Sequence, residues 1–118
     1  MKIIPKEHQI QKSIIEWAKY SPILREYLVC IENERKTSPI QGLNRKRMGV
    51  KSGVSDLFLA YPNGGKHGLW IELKRDKKSI VSASQQSWID KMNSISYEAK
   101  VAYGFEDAKK IIETYLKL

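Results

Sequence analysis

The sequence predicts an α/β (α+β) chain, a mixed central sheet flanked by helices in the order α-β-β-β-α-β-α. Three observations predict it. Apolar residues recur at helical spacing in three separate segments, near the start, after residue 80 and at the end. Two apolar runs of strand length, Leu57-Phe58-Leu59-Ala60 and Gly68-Leu69-Trp70-Ile71-Glu72-Leu73-Lys74, lie between them. Pro62-Asn63-Gly64-Gly65 separates those runs and is a strong hairpin signal.

Taken in order, residues from about Lys6 to Tyr20 form the first helix, with Ile10, Ile14, Trp17 and Ala18 on one stripe and Ser21-Pro22 ending the pattern. Glu7 lies three residues before Ile10 and projects from the same stripe. It either gives a carboxylate to an interior site or only complements the helix dipole. A strand follows over about Tyr27 to Asn33, and Cys30 within it reads as a small buried hydrophobe rather than a nucleophile. The segment Glu34 to Ser55 is long and mixed, with Pro39, Gly42, Gly49 and Gly53; loops of this length are functional or disordered. A short helical turn fits around Ile40 to Met48.

Beyond the hairpin strands, Arg75-Asp76-Lys77-Lys78 links to a second helix over about Ser84 to Ile95. Ser82 and Gln85 match a capping box, which would start this helix a residue or two earlier. Its stripe of Gln85, Trp88, Ile89, Met92 and Ile95 aims Gln85 inward at the helix start. A short strand, Ala99 to Tyr103, precedes Gly104 and a closing helix, about Glu106 to Lys117. Trp17 and Trp88 fall on apolar stripes and read as core, whereas Tyr61 and His67 beside the hairpin turn read as exposed.

The 118 residues suit one domain spanning residues 1–118. Apolar residues make up 42% and charged residues 29%, a soluble profile, but the formal net charge is +8. That excess favours a polyanionic partner, nucleic acid first, over a merely solvated basic surface. A membrane surface is disfavoured because no basic amphipathic helix stands out. One cysteine excludes an internal disulfide, and one cysteine with two histidines argues against structural zinc. No signal peptide or membrane span is visible, so the expected location is a reducing cytoplasm, bacterial or that of a phage host.

The chemistry concentrates in Asp56 and Glu72-Leu73-Lys74. Side chains alternate along a strand, so Glu72 and Lys74 share one face with Trp70 while Ile71 and Leu73 share the other. Two carboxylates beside an ammonium group are what a Mg²⁺-dependent phosphodiesterase needs: the acids hold a hard cation and the lysine orients or deprotonates the attacking water. Arg35, Lys36, Arg45, Lys46, Arg47 and Lys51 form the densest basic patch and lead directly to Asp56; Arg75 follows Lys74. Such groups would set phosphates against the metal, or else simply solvate a loop.

Four patches resemble the PD-(D/E)XK nuclease superfamily and, within it, a small stand-alone VRR-NUC domain. They are Glu7-His8-Gln9-Ile10-Gln11, Gly49-Val50-Lys51-Ser52-Gly53-Val54-Ser55-Asp56-Leu57, Trp70-Ile71-Glu72-Leu73-Lys74, and Ser82-Ala83-Ser84-Gln85. The likeness extends through Ala102-Tyr103-Gly104-Phe105. Two departures stand out: Ser55 replaces a proline common before the family's aspartate, and Ser96-Tyr97 stands where a glycine often precedes the last core strand.

The resemblance implies an αβββαβ core and a Mg²⁺ or Mn²⁺ cofactor bound by Asp56, Glu72 and the backbone carbonyl of Leu73. It further implies Lys74 at the nucleophilic water, with Glu7 and Gln85 serving the same site from the two helices. Small members of this kind, phage or bacterial, resemble Holliday junction resolvases that work as homodimers, which makes a four-way DNA junction the expected substrate. Two alternatives stay open: a flap-specific or relatively unspecific nuclease of the same superfamily, and a basic nucleic-acid-binding module without catalysis.

Overall fold

The computed structural model describes residues 6–32 and 38–118. Its elements run α1 (Glu7–Ala18), α2 (Pro22–Tyr27), β1 (Leu28–Cys30), α3 (Pro39–Arg47), β2 (Leu57–Leu59), β3 (Leu69–Lys74), α4 (Ala83–Ser94), β4 (Glu98–Tyr103) and α5 (Phe105–Leu116). The four strands make one sheet in the order β1-β2-β3-β4. β1 and β2 pair antiparallel, as do β2 and β3, whereas β4 runs parallel to β3 after the α4 crossover. The expected mixed sheet and flanking helices are therefore present, and α2 is added.

Parity along the strands decides what each face carries. Leu57, Leu59, Leu69, Ile71 and Leu73 point to one face and are fully or almost fully buried. There they meet Ile10, Ile14 and Ala18 of α1 and Ala108, Ile112 and Tyr115 of α5. Burying side chains of this size contributes about 1.5–3 kcal/mol each relative to exposure, so this layer is the main source of stability. The even-numbered residues face α4. Phe58 stacks on Trp70 with ring centroids 4.2 Å apart, and Trp88 of α4 meets Trp70 edge-on at 5.2 Å.

The hairpin signal resolves into a two-residue turn. Asn63 and Lys66 exchange both backbone hydrogen bonds around Gly64 and Gly65, whose φ values of 57° and 79° are those a primed turn requires. Tyr61 is half-buried rather than exposed, because the Tyr115 hydroxyl donates to its carbonyl at 2.7 Å and its ring lies against Tyr27. His67 is exposed as expected.

Three further expectations need correction. Ser21-Pro22 ends α1 but also begins a helix: the Ser21 hydroxyl accepts from the Leu24 N–H and Pro22 occupies the first helical position. That helix takes up residues through Tyr27, so the first strand shortens to Leu28–Cys30, and its expected end at Asn33 lies outside the described residues. Cys30 is exposed, not buried, because β1 is an edge strand on which only Leu28 is buried. α3 matches the helical turn expected near Ile40 to Met48; Ser38 and Gln41 close a capping box, and none of its residues is buried.

Candidate active site

Continuing the β2–β3 register by one step past Leu57 and Ile71 sets Asp56 opposite Glu72. Both are even-numbered, so both project to the α4 face with Lys74. The Leu73 N–H donates to Asp56 Oδ2 at 2.7 Å, which fixes the aspartate at the point where the ladder ends. In an extended strand a residue's N–H and C=O leave on the same side. The Leu73 carbonyl is therefore directed to the Asp56 side of β3.

Glu72 is 2% exposed and Lys74 is 7% exposed, unusual for charged residues unless they are engaged. Gln85 Nε2 donates to Glu72 Oε2 at 3.1 Å. The Lys74 ammonium lies 4.0 Å from the same oxygen, so it is aimed at the carboxylate without being locked to it. Gln85 also closes the start of α4. Its Oε1 accepts from the Ser82 N–H while the Ser82 hydroxyl accepts from the Gln85 N–H, a reciprocal capping box. The helix cap thus holds the glutamine that holds the glutamate.

One cavity gathers the two acids and the helix cap, while Lys74 lies behind Glu72 and does not line it. It is lined by Glu7, Ser52, Gly53, Val54, Asp56, Glu72, Ser82, Ser84 and Gln85. Glu7 enters it from the first turn of α1, so the helix-dipole position and the site position are the same place. Burial, above all, pushes the Glu72 carboxyl up to about 9; the neighbouring Asp56 charge and their mutual hydrogen bond act the same way, Lys74 opposes them, and Glu7 adds a little.

The donor set fits a hard divalent cation. Glu72 Oε1 is buried with no donor, so the carboxyl needs either a proton, as in its hydrogen bond with Asp56, or a cation. Among the described residues no three His, Cys, Asp or Glu side chains could by themselves hold an ion. Two carboxylates, a backbone oxygen and water are instead the sparse oxygen set that Mg²⁺ accepts, with substrate phosphate completing it.

The basic residues fall into three groups. Arg45, Lys46 and Arg47 occupy the last turn of α3, where they complement its dipole, and Lys51 follows on the loop to Asp56. Arg75 is exposed directly after β3. Arg35 and Lys36 lie outside the described residues. The site also contains groups that sequence reasoning passed over. Gly53 presses its backbone on Ser84, and the Ser52 hydroxyl donates to Ser84 Oγ at 3.2 Å. Both serines lie inside the quoted motif patches, but only the fold joins the patches.

A mixed sheet that presents an acid pair and a glutamine to one cleft, with a buried lysine beside the glutamate, defines a nuclease-like domain. The family model described as VRR-NUC domain matches residues 1–106, and the chain belongs to that family. A solved structure described as a VRR_NUC domain protein is 29% identical, with a TM-score of 0.85, covering 100% of this chain and 93% of the other. A second, described as a VRR_NUC domain, is 21% identical with a TM-score of 0.58, covers 92% and 96%, and supports the fold alone. No curated protein matches the sequence.

Proposed function

We propose that the protein is a divalent-metal-dependent endonuclease that hydrolyses DNA phosphodiesters, acting as a homodimer on four-way junctions. The observation that carries the nuclease reading is Asp56, Glu72, Gln85 and Glu7 around one cavity, with the Lys74 ammonium 4.0 Å from Glu72 Oε2 and one buried carboxylate oxygen left without a donor. Asp56, Glu72 and the Leu73 carbonyl would hold Mg²⁺ or Mn²⁺, with Glu7 serving its water shell. When bound, such an ion neutralises charge on the scissile phosphate and lowers the pKa of bound water.

The protein's own groups supply the remainder. The Leu73 N–H keeps Asp56 facing the cavity, and Gln85 keeps Glu72 in one rotamer, so both acids meet a ligand without reorganisation. Lys74, close to Glu72 and shielded from solvent, would orient the attacking water as an ammonium group, or accept its proton as the neutral amine. The exposed cations Lys46, Arg47, Lys51 and Arg75, with Arg45, would draw in and position the DNA backbone.

Four-way junctions suit a two-fold assembly. Resolution needs two symmetric nicks and each chain offers one site, so a C₂ dimer matches the symmetry of its substrate. Cleavage of a labelled four-way junction beside a flap and a matched duplex, with Mg²⁺, Mn²⁺ or EDTA, tests the reading. Paired symmetric nicks, lost in EDTA and in Asp56→Asn and Lys74→Ala, are the expected result. The two variants should lose at least about 10²–10³ of the rate while still binding DNA. Equal cutting of flap and duplex would retain a nuclease and remove the junction preference; binding without cutting would leave a basic module.

A further inference from the structure

Beside the cavity that holds Asp56 and Glu72 lies a second one that shares Ser52 and Ser84 with it and is otherwise lined by Lys51, Ser87, Trp88 and Lys91. Ser84, Ser87 and Lys91 recur at helical spacing along one side of α4. Lys51 comes to the same cavity from the loop that Gly53 docks on the helix, and the Ser52–Ser84 hydroxyl contact forms the saddle between the two spaces. The lining contains two ammonium groups, three hydroxyls and one indole, and no carboxylate. That is the complement of an anion with several acceptor oxygens.

A polynucleotide carries its charges at regular intervals. If one phosphate sits at the acid pair, its neighbour along the strand must lie one step to one side or the other. We propose that this second cavity holds the phosphate adjacent to the scissile one, with Lys51 and Lys91 as its cationic contacts and the Ser84 and Ser87 hydroxyls as hydrogen-bond donors. The inference rests on the nuclease reading of the first cavity. It gives the cut strand a direction across the site, from the acids over the Ser52–Ser84 saddle toward Lys91. Both lysines are exposed on their outer sides, so replacing them leaves the fold intact.

The test compares the wild type with a Lys51→Gln/Lys91→Gln double variant and with Lys110→Gln/Lys117→Gln, two exposed lysines of α5 and its cap. Junction binding in EDTA is measured against salt concentration. The first double variant should bind more weakly with a salt slope shallower by about one unit per lysine, while the control pair keeps the wild-type slope. Cleavage is then measured on substrates with a single neutral methylphosphonate at each position around the cut. One adjacent position should slow the wild type and have no additional effect on the Lys51→Gln/Lys91→Gln enzyme. An unchanged slope, or the same methylphosphonate penalty in both enzymes, overturns the subsite while the nuclease reading stands. Absence of metal-dependent cleavage by the wild type overturns that reading and the adjacent-phosphate assignment with it.

Discussion

Ser96 is the sole non-glycine at positive φ among the described residues, at 70°. It stands two residues before β4, the strand that completes the parallel pair. A serine here adopts a conformation that glycine reaches more cheaply, held by the His67 N–H donating to its carbonyl at 2.8 Å. An L-residue there costs roughly 1–2 kcal/mol, of which the greater freedom of unfolded glycine returns about 0.5–1 kcal/mol. Ser96→Gly should therefore raise stability by about 0.5 kcal/mol and the melting temperature by about 2 °C, with cleavage unchanged. Thermal melts of the two proteins check it. At this scale the geometry of the candidate site was legible in part: the shared parity of Glu72 and Lys74 and the inward aim of Gln85 follow from strand and helix periodicity alone. The exposure of Cys30 was not, because an apolar run does not reveal that its strand lies at the sheet edge.

Elements meet at the site through one close approach. A Cβ added to Gly53 would lie 2.3 Å from the Ser84 carbonyl oxygen, and the residue's φ is 86°. Gly49, at φ 90°, would meet nothing within 4 Å. The pair separates backbone strain from steric exclusion. Gly49→Ala should cost only strain, about 1–2 kcal/mol, with cleavage retained. Gly53→Ala should cost more, roughly 2–4 kcal/mol, and lower cleavage as well, because the loop that leads to Asp56 must lift from α4. Urea unfolding and junction cleavage of both variants measure the contrast. Helix and strand existence was readable from periodicity, and the α4 start from its capping box. The missed element, α2, was hidden by a real ambiguity. Ser-Pro stops one helix and starts another with the same chemistry, and only the packing of Leu24 into the core decides which.

For the whole molecule, the raised Glu72 carboxyl links proton, cation and stability. Its value rises from 4.5 in the unfolded chain to about 9 in the folded one, so folding takes up a proton between those limits. The associated stability is complete below pH 4.5 and is lost as pH climbs through 9. Metal-free protein should accordingly melt at falling temperatures from about pH 6 to pH 9, and Glu72→Gln should flatten the trend. A cation must displace that proton. Mg²⁺ affinity should therefore increase with pH over the same window, and binding should release close to one proton. Titration calorimetry in two buffers of different ionisation enthalpy counts it; no proton release would mean that Glu72 is already ionised. The net charge of +8 pointed to a polyanion without locating it, because charge counts are blind to which cations share a cleft with the acids.

The one-step relation between Asp56 and Glu72 also sets a grammar for insertions and deletions. Three ladder pairs, Leu57 to Leu59 against Ile71 to Leu69, act as a ratchet with two positions. Slipping it by one residue would turn Glu72 into the α1–α5 layer and bring Ile71 or Leu73 to the cleft, losing core and chemistry together. Residues added between Pro39 and Gly49 leave that parity alone, and so do residues added at the Gly64-Gly65 turn, at the cost of the Asn63–Tyr115 tie. Length variation in descendants of this sequence is thus tolerated at those two places, and excluded within β2 and β3 and in the Gly53 segment docked on α4.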